Sequence, residues 1–379
     1  MKKIIFIAKT DLNNDGRILN QIKILQNYLK DQLNLHFIVL PDKEYVGDLG
    51  RGVFLYNLHI SIRNNPALRM FTVVEFTIKA LRKLIELQPE IIHIQDYEVV
   101  LPVYLYKKFF KKNVVIIFDD HEMPNENESL QGKILQYFER KLMKISDYVI
   151  YANQERKEIL DKELNIIKST YFLNLPYFEE KNILSNASID RNYITKLEEL
   201  KAFKEKGINL IMHQGLIAVE RGRKKLAEFS KFNFANTKIV IVGISELEYN
   251  SFITEFTLNR DNFYFVGSVP YTILIEFWKL MDATIIMYLP TYINNRLCAP
   301  NRYFIALMYN IPTIVNKDNP VLYNFTEKHN SGFYIENITS SILVKKVFKH
   351  SYSTEVLEDM KHEEIEKFEG VYDKILKLV

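Results

Sequence analysis

The sequence predicts an α/β protein made of two Rossmann-like domains, each built on a doubly wound parallel sheet. Three observations lead to this prediction. Short β-branched or aromatic runs alternate with helical patterns along most of the chain, as in parallel α/β units. The alternation breaks once, over residues 181–207, and then resumes. With 379 residues, the chain is also too long for one ordinary domain.

Apolar runs in the first half of the chain predict five strands with helices between and after them. The strands are expected at 4–8, 36–40, 91–94, 114–118 and 148–151, and the helices at 16–30, 66–87, 101–110, 131–144 and 154–164. Right-handed crossovers between these strands would give one doubly wound sheet.

The second half repeats the alternation. Strands are expected at 209–215, 238–243, 263–267, 283–288 and 311–316, with helices that include 223–232, 271–281 and 302–309. We therefore expect a first domain over 1–180, a linker with a short helix over 181–207, and a second domain over 208–352. The tail, 353–379, is expected to be helical, and whether it packs back on the first domain stays open. Ligands should bind outside the carboxyl ends of the strands.

The composition, with 47% hydrophobic and 26% charged residues, is typical of a soluble globular protein. A net charge of +3 gives no argument for nucleic acid, and one cysteine, Cys298, excludes an internal disulfide framework. The first apolar run is too short for a signal peptide. No run approaches the ~20 residues of a membrane span. The protein is expected to be cytoplasmic.

Residues 299–316 indicate a turn, a helix and a buried strand. Pro300 suits the first turn of a helix, and Asn301 can satisfy backbone amides left free there. These amides and the positive end of the helix dipole attract an anion, most often a phosphate. The segment from Pro300 through Asn301 to Arg302 is therefore a predicted phosphate site.

A second anion site is predicted at the turn that follows the strand at 209–215. Gly215 ends that strand, and the cations Arg221 and Lys225 stand at the start of the next helix. Cations there oppose the helix dipole, so an anion such as a diphosphate would justify them. The alternative is that Lys225 and its neighbours Arg223 and Lys224 form a solvated helix face.

Single glycines, Gly243 and Gly267, end two further predicted strands. Glycine allows a ligand to approach the backbone closely, although each could equally mark an ordinary tight turn. The sequence has neither the GxGxxG nor the GxxxxGK[ST] pattern. A nicotinamide dehydrogenase or a P-loop enzyme is therefore poorly supported.

Two loops of the first half carry further candidate residues. Asp15, Gly16 and Arg17 follow the first strand and open a helix, where Asp15 could serve only as the N-cap. The acidic segment with Asp119, His121 and Glu122 follows the fourth strand. A doubly wound domain places reactive groups at such strand ends, but these residues could also do no more than cap the next helix.

The order and spacing of these motifs resembles family 4 glycosyltransferases, which have the GT-B fold and use nucleotide-sugars. The similar segments are Asp119/His121/Glu122, Asn174-x-Pro176, Arg221-Gly222, Gly267 and Pro300-Asn301-Arg302-x-Phe304. The resemblance runs from Asp15 to Gly332 at low similarity.

The resemblance implies a role for each site. His121, Glu122 and Asp119 would be the catalytic residues. His121 would line a cleft and contact the donor sugar or the acceptor, and Glu122 is the second candidate for that contact. The segment from Asp15 to Arg17 would form an acceptor or donor-phosphate loop. Arg221 would be the main diphosphate ligand, with Lys225 as its helper.

The same resemblance implies transfer of a sugar from a nucleotide diphosphate-sugar to a glycan or lipid-linked acceptor, in bacterial surface polysaccharide synthesis. It also implies that the configuration of the sugar is retained and that no metal or other cofactor is needed. One departure counts against activity, because Leu297 and Ile305 stand where the family usually has glutamates, the second of which grips the ribose. A catalytically impaired relative acting as a binding or scaffold subunit is therefore an alternative, as is a nucleotide-sugar epimerase.

Residues 104–112 contain four lysines interleaved with aromatic residues. Such a run could rest on an anionic membrane surface. The simpler alternative is a helix end whose lysines interact with the C-terminal dipole. Peripheral membrane contact is thus one of two hypotheses for this segment.

Overall fold

The computed structural model describes residues 2–13, 15–41, 43–45, 47–61, 71–121, 130–176, 191–232, 236–298, 300–352 and 355–379. The chain forms two compact units. The first comprises Met1–Leu173 and His362–Val379, and the second comprises Asn174–Lys361.

The first unit is built on a seven-stranded parallel sheet in which the described strands follow the order β3-β2-β1-β4-β5-β6-β7. The strands are β1 (Ile4–Thr10), β2 (Leu35–Pro41), β3 (Val53–Asn57), β4 (Ile91–Gln95), β5 (Val115–Asp120), β6 (Tyr148–Tyr151) and β7 (Ser169–Tyr171). The order reverses between β1 and β4, so a crevice is expected outside the carboxyl ends of these two strands.

Amphipathic helices cover this sheet. They are α1 (Gly16–Leu29), α2 (Thr72–Leu87), α3 (Val100–Phe109), α4 (Leu130–Ile145) and α5 (Gln154–Leu164). Strands β1, β2, β4 and β5 are apolar along most of their length and buried, as expected of parallel strands covered on both faces.

The first unit is completed by the end of the chain. The long final helix, α14 (Glu355–Leu376), belongs to the first unit from His362 onward. Its Phe368 is fully buried, with its ring centroid 4.9 Å from that of Phe172 and 5.4 Å from that of Tyr372. The backbone amide of Leu173 donates to Glu364 of the same helix, at 2.6 Å.

The second unit has a six-stranded parallel sheet, with the described strands in the order β10-β9-β8-β11-β12-β13. The strands are β8 (Asn209–Gln214), β9 (Thr237–Val242), β10 (Phe263–Gly267), β11 (Ala283–Ile286), β12 (Thr313–Val315) and β13 (Gly332–Tyr334). Here the order reverses between β8 and β11, which are paired in register from Ala283 opposite Ile211.

The helices of the second unit are α6 (Arg191–Glu205), α7 (Arg223–Ser230), α8 (Glu246–Glu255), α9 (Tyr271–Trp278), α10 (Ile293–Arg296), α11 (Asn301–Met308), α12 (Pro320–His329) and α13 (Ser340–Lys345). α6 lies within the segment treated above as a linker. Its Leu197 and Leu200 are buried in the same hydrophobic cluster as Trp278, so this helix is an integral part of the second unit.

The two parallel sheets confirm the predicted fold class. The predictions missed three short strands at sheet edges, β3, β7 and β13. Their residues are mostly half-buried, so they do not give the continuous apolar runs that identify interior strands. Among the described residues, no helix has the length and apolar character needed to cross a bilayer.

We predict that Phe368→Ala destabilises the first unit by ~3–5 kcal/mol, the usual effect of truncating a buried phenylalanine. The only tryptophan, Trp278, is buried in the second unit. In Phe368→Ala, the unfolding transition seen by far-UV circular dichroism should therefore begin at a lower urea concentration, whereas the transition seen by Trp278 fluorescence should occur at the same urea concentration as in the unmodified protein. Glu366→Ala, at an exposed site of the same helix, should change neither. Equal shifts of both signals in Phe368→Ala would contradict this prediction.

Candidate active site

Three neighbouring strands of the second sheet lead into glycines with positive φ: Gly215 (93°), Gly243 (94°) and Gly267 (85°). Gly243 donates to the carbonyl of Gly267 at 2.7 Å, and Gly215 donates to that of Val242 at 2.8 Å. A Cβ on Gly243 would lie 3.2 Å from the nitrogen of Gly215, and one on Gly215 would lie 3.2 Å from Nη1 of Arg302. The lack of a side chain therefore lets neighbouring loops approach one another closely at this edge of the sheet, where Gly243 is exposed and Gly267 is buried.

Two arginines lie on one tyrosine ring beside this edge. The guanidinium carbon of Arg221 is 3.6 Å from the ring centroid of Tyr288, and that of Arg302 is 4.9 Å from it. Arg302 donates to the carbonyl oxygen of Gln214. Burial raises the pKa of Tyr288 although both arginines oppose the shift, so the ring is neutral at physiological pH. It supplies a π face to two cations and no counter-charge.

The arginine pair is not neutralised within its unit. In the described part of the chain, no carboxylate forms an ion pair with Arg221 or Arg302, and the buried Nη1 of Arg221 has no hydrogen-bond partner. A buried guanidinium donor without an acceptor costs free energy. The arrangement is therefore suited to an anion with several oxygen acceptors.

The turns that hold these groups are rigidly connected. Asn316 accepts from the backbone amide of Tyr288 at 2.9 Å and donates to its carbonyl at 3.0 Å. Asn319 donates to the same carbonyl at 3.2 Å. The amide of Leu289 donates to the carbonyl of Glu220, next to Arg221, at 2.9 Å. These bonds fix the loops after β8 and β11 at the point where the strand order reverses.

α11 begins at the same place. Pro300 is its N-cap residue, and its side chain makes no capping hydrogen bond. Asn301 and Arg302 form the first turn, where backbone amides lack partners within the helix. The structure thus brings together most of the predicted donor-binding residues, which are Gly215, Gly243, Arg221, Pro300, Asn301 and Arg302.

A histidine that was not among the predicted site residues also lies here. His213 is 1% exposed, and its Nδ1 has no hydrogen-bond partner among the described residues. Burial, together with the charges of Arg302 and Arg221, lowers its pKa to about 3. His213 is therefore neutral, and the positive charge of the site comes from the arginines. Its place two residues before the end of the predicted strand at 209–215 is the signal that could have identified it.

Lys225 is placed differently from its predicted role as a helper in diphosphate binding. Its ammonium lies 2.6 Å from Glu336 and 3.4 Å from Asp318, so its charge is matched within the unit. The two positions that lack the usual glutamates, Leu297 and Ile305, are 5% and 2% exposed. Ile305 packs in a hydrophobic cluster, and neither of these apolar side chains can accept a hydrogen bond.

In the first unit, Asp119 is fully buried at the end of β5. Its oxygens accept from Arg17 at 2.8 Å and from Gln21 at 2.5 Å. Burial disfavours its charged form, but Arg17 and His121 outweigh burial and hold the pKa of Asp119 well below its usual range. Asp119 was predicted to be catalytic. Its burial means that it can act only through neighbours such as His121.

His121 lies between two carboxylates. Its Nε2 is 3.3 Å from Asp119, in an ion-pair contact without hydrogen-bond geometry, and its Nδ1 is 3.6 Å from Asp96. Burial lowers the pKa of His121, but Asp119 and Asp96 raise it to a net value above the usual one. The imidazole therefore keeps its proton to higher pH than an ordinary histidine. Glu122, the second predicted catalytic residue, lies outside the described residues.

Asp96 is a site residue that the sequence analysis missed. It follows β4 directly and has φ +66°, a conformation that is strained for a residue with a side chain. Its Oδ1 accepts from the amide of His121 at 2.7 Å. An aspartate two residues after the predicted strand at 91–94 was the available signal.

The predicted acceptor loop has structural roles. Asp15 caps α1 by accepting from the amide of Ile18 at 3.1 Å, and Thr10 donates to it at 2.6 Å. Gly16 is the first, buried residue of the helix. Arg17 is 5% exposed and is held by Asp119 and the carbonyl of Phe172. Its guanidinium therefore stabilises the first unit and is not available to an acceptor.

Next to His121 lies a buried acidic pair, Asp120 and Glu139. Both have an oxygen that is buried without a hydrogen-bond partner among the described residues. Burial raises the pKa of Asp120 against the opposing charge of Arg156. Burial, with the charges of Asp120 and Asp96, raises the pKa of Glu139 well above its usual value. Ionisation of Glu139 therefore costs the folded state free energy.

We predict that Glu139→Gln stabilises the protein at pH 8. Glutamate in the unfolded chain titrates near pH ~4.3. Because the folded-state pKa is higher, the stability linked to protonated Glu139 is complete below that pH and is lost as the pH rises through the folded-state pKa. Thermal unfolding should show a Tm raised by about 2–4 °C at pH 8 and by less at pH 5. The exposed control Glu163→Gln should change little, and a lower Tm for Glu139→Gln at pH 8 would contradict the prediction.

No protein-family model and no curated protein matches the chain, but solved structures match it. Sucrose-phosphate synthase from Thermosynechococcus elongatus has a TM-score of 0.72 at 11% identity, over all of both chains. Anabaena Alr3699/HepE in complex with UDP-glucose has a TM-score of 0.68 at 12% identity, also over all of both chains. WaaG, a glycosyltransferase involved in lipopolysaccharide biosynthesis, has a TM-score of 0.63 at 12% identity, over 96% of this chain and 94% of its own.

These structures are GT-B proteins. At such low identity the likeness concerns the fold, and it agrees with the two parallel sheets and the order of their strands. The chain therefore has the GT-B fold that its sequence predicts.

Proposed function

We propose that this protein is a glycosyltransferase that takes a sugar from a nucleotide diphosphate-sugar and holds the diphosphate in its second unit. The observation that carries the proposal is the pair of arginines on Tyr288 without a carboxylate partner among the described residues. The pair lies beside the start of α11, where backbone amides favour phosphate. The fold is shared with structures such as HepE, which was solved with UDP-glucose and with UDP.

In this mechanism the second unit stabilises the leaving group. Negative charge grows on the diphosphate as its bond to the sugar breaks and an oxocarbenium-like transition state forms. Arg221, Arg302 and the first amides of α11 would stabilise that charge without reorganisation, because they are already fixed. This role requires neither a proton transfer nor a metal, and the absence of a metal requirement stays a prediction.

The first unit would bind the reacting hydroxyl groups. His121 and Asp96 form an imidazolium–carboxylate pair at the carboxyl edge of the sheet, which offers both donors and acceptors to sugar hydroxyls. We extend the proposal, on the sequence resemblance alone, to a retaining hexosyltransferase. It would act on a glycan or lipid-linked acceptor in the cytoplasm, in bacterial surface polysaccharide synthesis.

The alternative is a catalytically impaired relative that only binds a ligand. The apolar residues at 297 and 305 favour it, because neither can accept a hydrogen bond from ribose. The unneutralised arginines favour retained diphosphate binding. Binding of a donor without its consumption in the presence of a panel of glycan and lipid-linked acceptors would support the alternative.

We also propose that the end of α3 contacts an anionic membrane surface. Phe109 and Phe110 are 65% and 54% exposed and lie next to Lys108 and Lys112. The other two lysines of this run are engaged in the fold, since Lys107 donates to the carbonyl of Val114 and Lys111 to that of Pro89. Only part of the run is therefore available to lipids.

The membrane proposal predicts cosedimentation with phosphatidylserine-containing vesicles and not with phosphatidylcholine vesicles. Replacing Lys108 and Lys112 by Gln should weaken binding about tenfold or more, since each basic residue near an anionic surface contributes ~1 kcal/mol. A matched change at an exposed apolar site away from this run, Ile167→Ser, should have no effect. Absence of binding by the unmodified protein would exclude the proposal.

The central prediction concerns donor affinity. Arg221→Ala should weaken the binding of UDP and UDP-glucose about 10- to 100-fold in isothermal titration calorimetry, because a charge-assisted hydrogen bond is lost. Lys225→Ala is the matched control, since its charge is already paired, and it should bind as the unmodified protein does. His121→Ala, in the other unit, should retain donor affinity and lose turnover.

If neither Arg221→Ala nor Arg302→Ala changes the affinity for any nucleotide diphosphate that the unmodified protein binds, the diphosphate site is placed wrongly. If the unmodified protein binds none of a panel of nucleotide diphosphates, the enzyme proposal fails as a whole.

A further inference from the structure

A fully buried histidine in the first sheet has no part in the function proposed above. His93 lies in β4 with 0% exposure, and its ring packs against Phe6 at a centroid distance of 4.5 Å. Burying an imidazole is costly unless its nitrogens have partners. Nδ1 of His93 lies 2.7 Å from the hydroxyl of Tyr372 on the C-terminal helix, in a hydrogen bond, whereas Nε2 lies 3.6 Å from Asp119 without hydrogen-bond geometry.

These neighbours decide which nitrogen of His93 carries the proton. Burial, and then the charge of Asp119, raise the pKa of Tyr372 well above its usual value, so its hydroxyl keeps its proton and can donate it. Burial lowers the pKa of His93, which leaves one proton on the ring. The ionised carboxylate of Asp119 faces Nε2 and favours the proton on that nitrogen, which leaves Nδ1 to accept from the hydroxyl of Tyr372.

Asp119 is surrounded by donors on every side that the structure describes. Arg17 binds one oxygen, while Gln21, His93 and His121 approach the other. The amide of Gln21 is itself oriented, because its oxygen accepts from Gln95 at 2.8 Å. Rotation of the carboxylate would break its hydrogen bonds with Arg17 and Gln21 and would shift the charge that faces the two histidine rings, which lie against it without hydrogen-bond geometry.

We infer that Tyr372 and His93 are positioning residues for His121. The hydroxyl of Tyr372 selects the Nε2–H tautomer of His93, His93 restrains Asp119, and Asp119 orients the imidazole that meets the substrate. The inference rests on the proposed function for the role of His121. It assigns the final helix a task in the site, since residue 372 and residue 93 are far apart in the chain and meet only when that helix packs on the first sheet.

The chain offers variants that separate positioning from simple stability. Tyr372→Phe removes the hydroxyl and keeps the ring. Tyr106→Phe is the matched control, because Tyr106 is equally buried in the same unit and its hydroxyl has only a distant contact, 3.5 Å to Gln88. His93→Gln can retain an N–H near the position of Nε2, whereas His93→Leu cannot.

The experiment combines nitrogen NMR of the histidine side chains with steady-state kinetics. In the unmodified protein His93 should be the Nε2–H tautomer. In Tyr372→Phe the Nδ1–H form should become populated, and kcat should fall about three- to tenfold with the donor KM unchanged. His93→Gln should retain more kcat than His93→Leu, and Tyr106→Phe should match the unmodified protein in both measurements.

An Nδ1–H tautomer of His93 in the unmodified protein would overturn the inference, as would a kcat of His93→Leu equal to that of the unmodified protein. The NMR result does not depend on activity. If the tautomer responds to Tyr372→Phe as expected while the protein transfers no sugar, the positioning network stands and the proposed function is what fails.

Discussion

Parallel strands all end at one edge of their sheet, and the connecting chain must leave in opposite directions wherever the strand order reverses. In this protein the reversal falls between β1 and β4 in the first unit and between β8 and β11 in the second. Asp96 stands at the first of these points, and Gly215 and Tyr288 stand at the second. The positions of the candidate residues follow from this constraint, because loops that diverge leave room for a ligand between them.

The two units treat buried charge in opposite ways. In the first, Asp119 is compensated by Arg17, Gln21 and two histidines, so its charge is satisfied without a ligand. In the second, the half-buried Arg221 and Arg302 contact the face of a neutral ring, and Arg302 also a backbone carbonyl, but neither meets a carboxylate among the described residues. Since buried charges are normally paired, the first arrangement indicates a preorganised scaffold for His121. The second indicates a site completed by an anion.

Several features of the first unit reduce stability without any benefit to packing. Asp96 occupies a left-handed conformation, and Glu139 is buried beside Asp120 with an oxygen that has no partner among the described residues. Strain and unsatisfied polar groups of this kind concentrate at functional sites, where other interactions compensate for them. Asp96 contacts His121, and the charge of Asp96 in turn acts on Glu139, in agreement with the role proposed for this edge of the sheet.

The sequence by itself determined the α/β class, the interior strands and, to within one residue, the starts of several helices such as α1, α5 and α7. Runs such as those at 4–8 and 239–242 are apolar because both sheet faces are covered, and Pro300 before a helical pattern is a local signal. The sequence also predicted that Arg221, Arg302 and the glycines at the strand ends lie at one edge of the second sheet, because the carboxyl ends of parallel strands all lie at the same edge.

Only the tertiary structure decided where side chains point and what they pair with. Arg17 turns inward to Asp119, Lys225 meets Asp318 and Glu336, and Tyr372 reaches His93. Each pair joins residues that are remote in the sequence, and the energy of burying or pairing a charge depends on all the groups around it rather than on local pattern. The edge strands β3, β7 and β13 were not predicted for a related reason. Their side chains are partly exposed, so their sequences lack the continuous apolar run that identifies a buried strand.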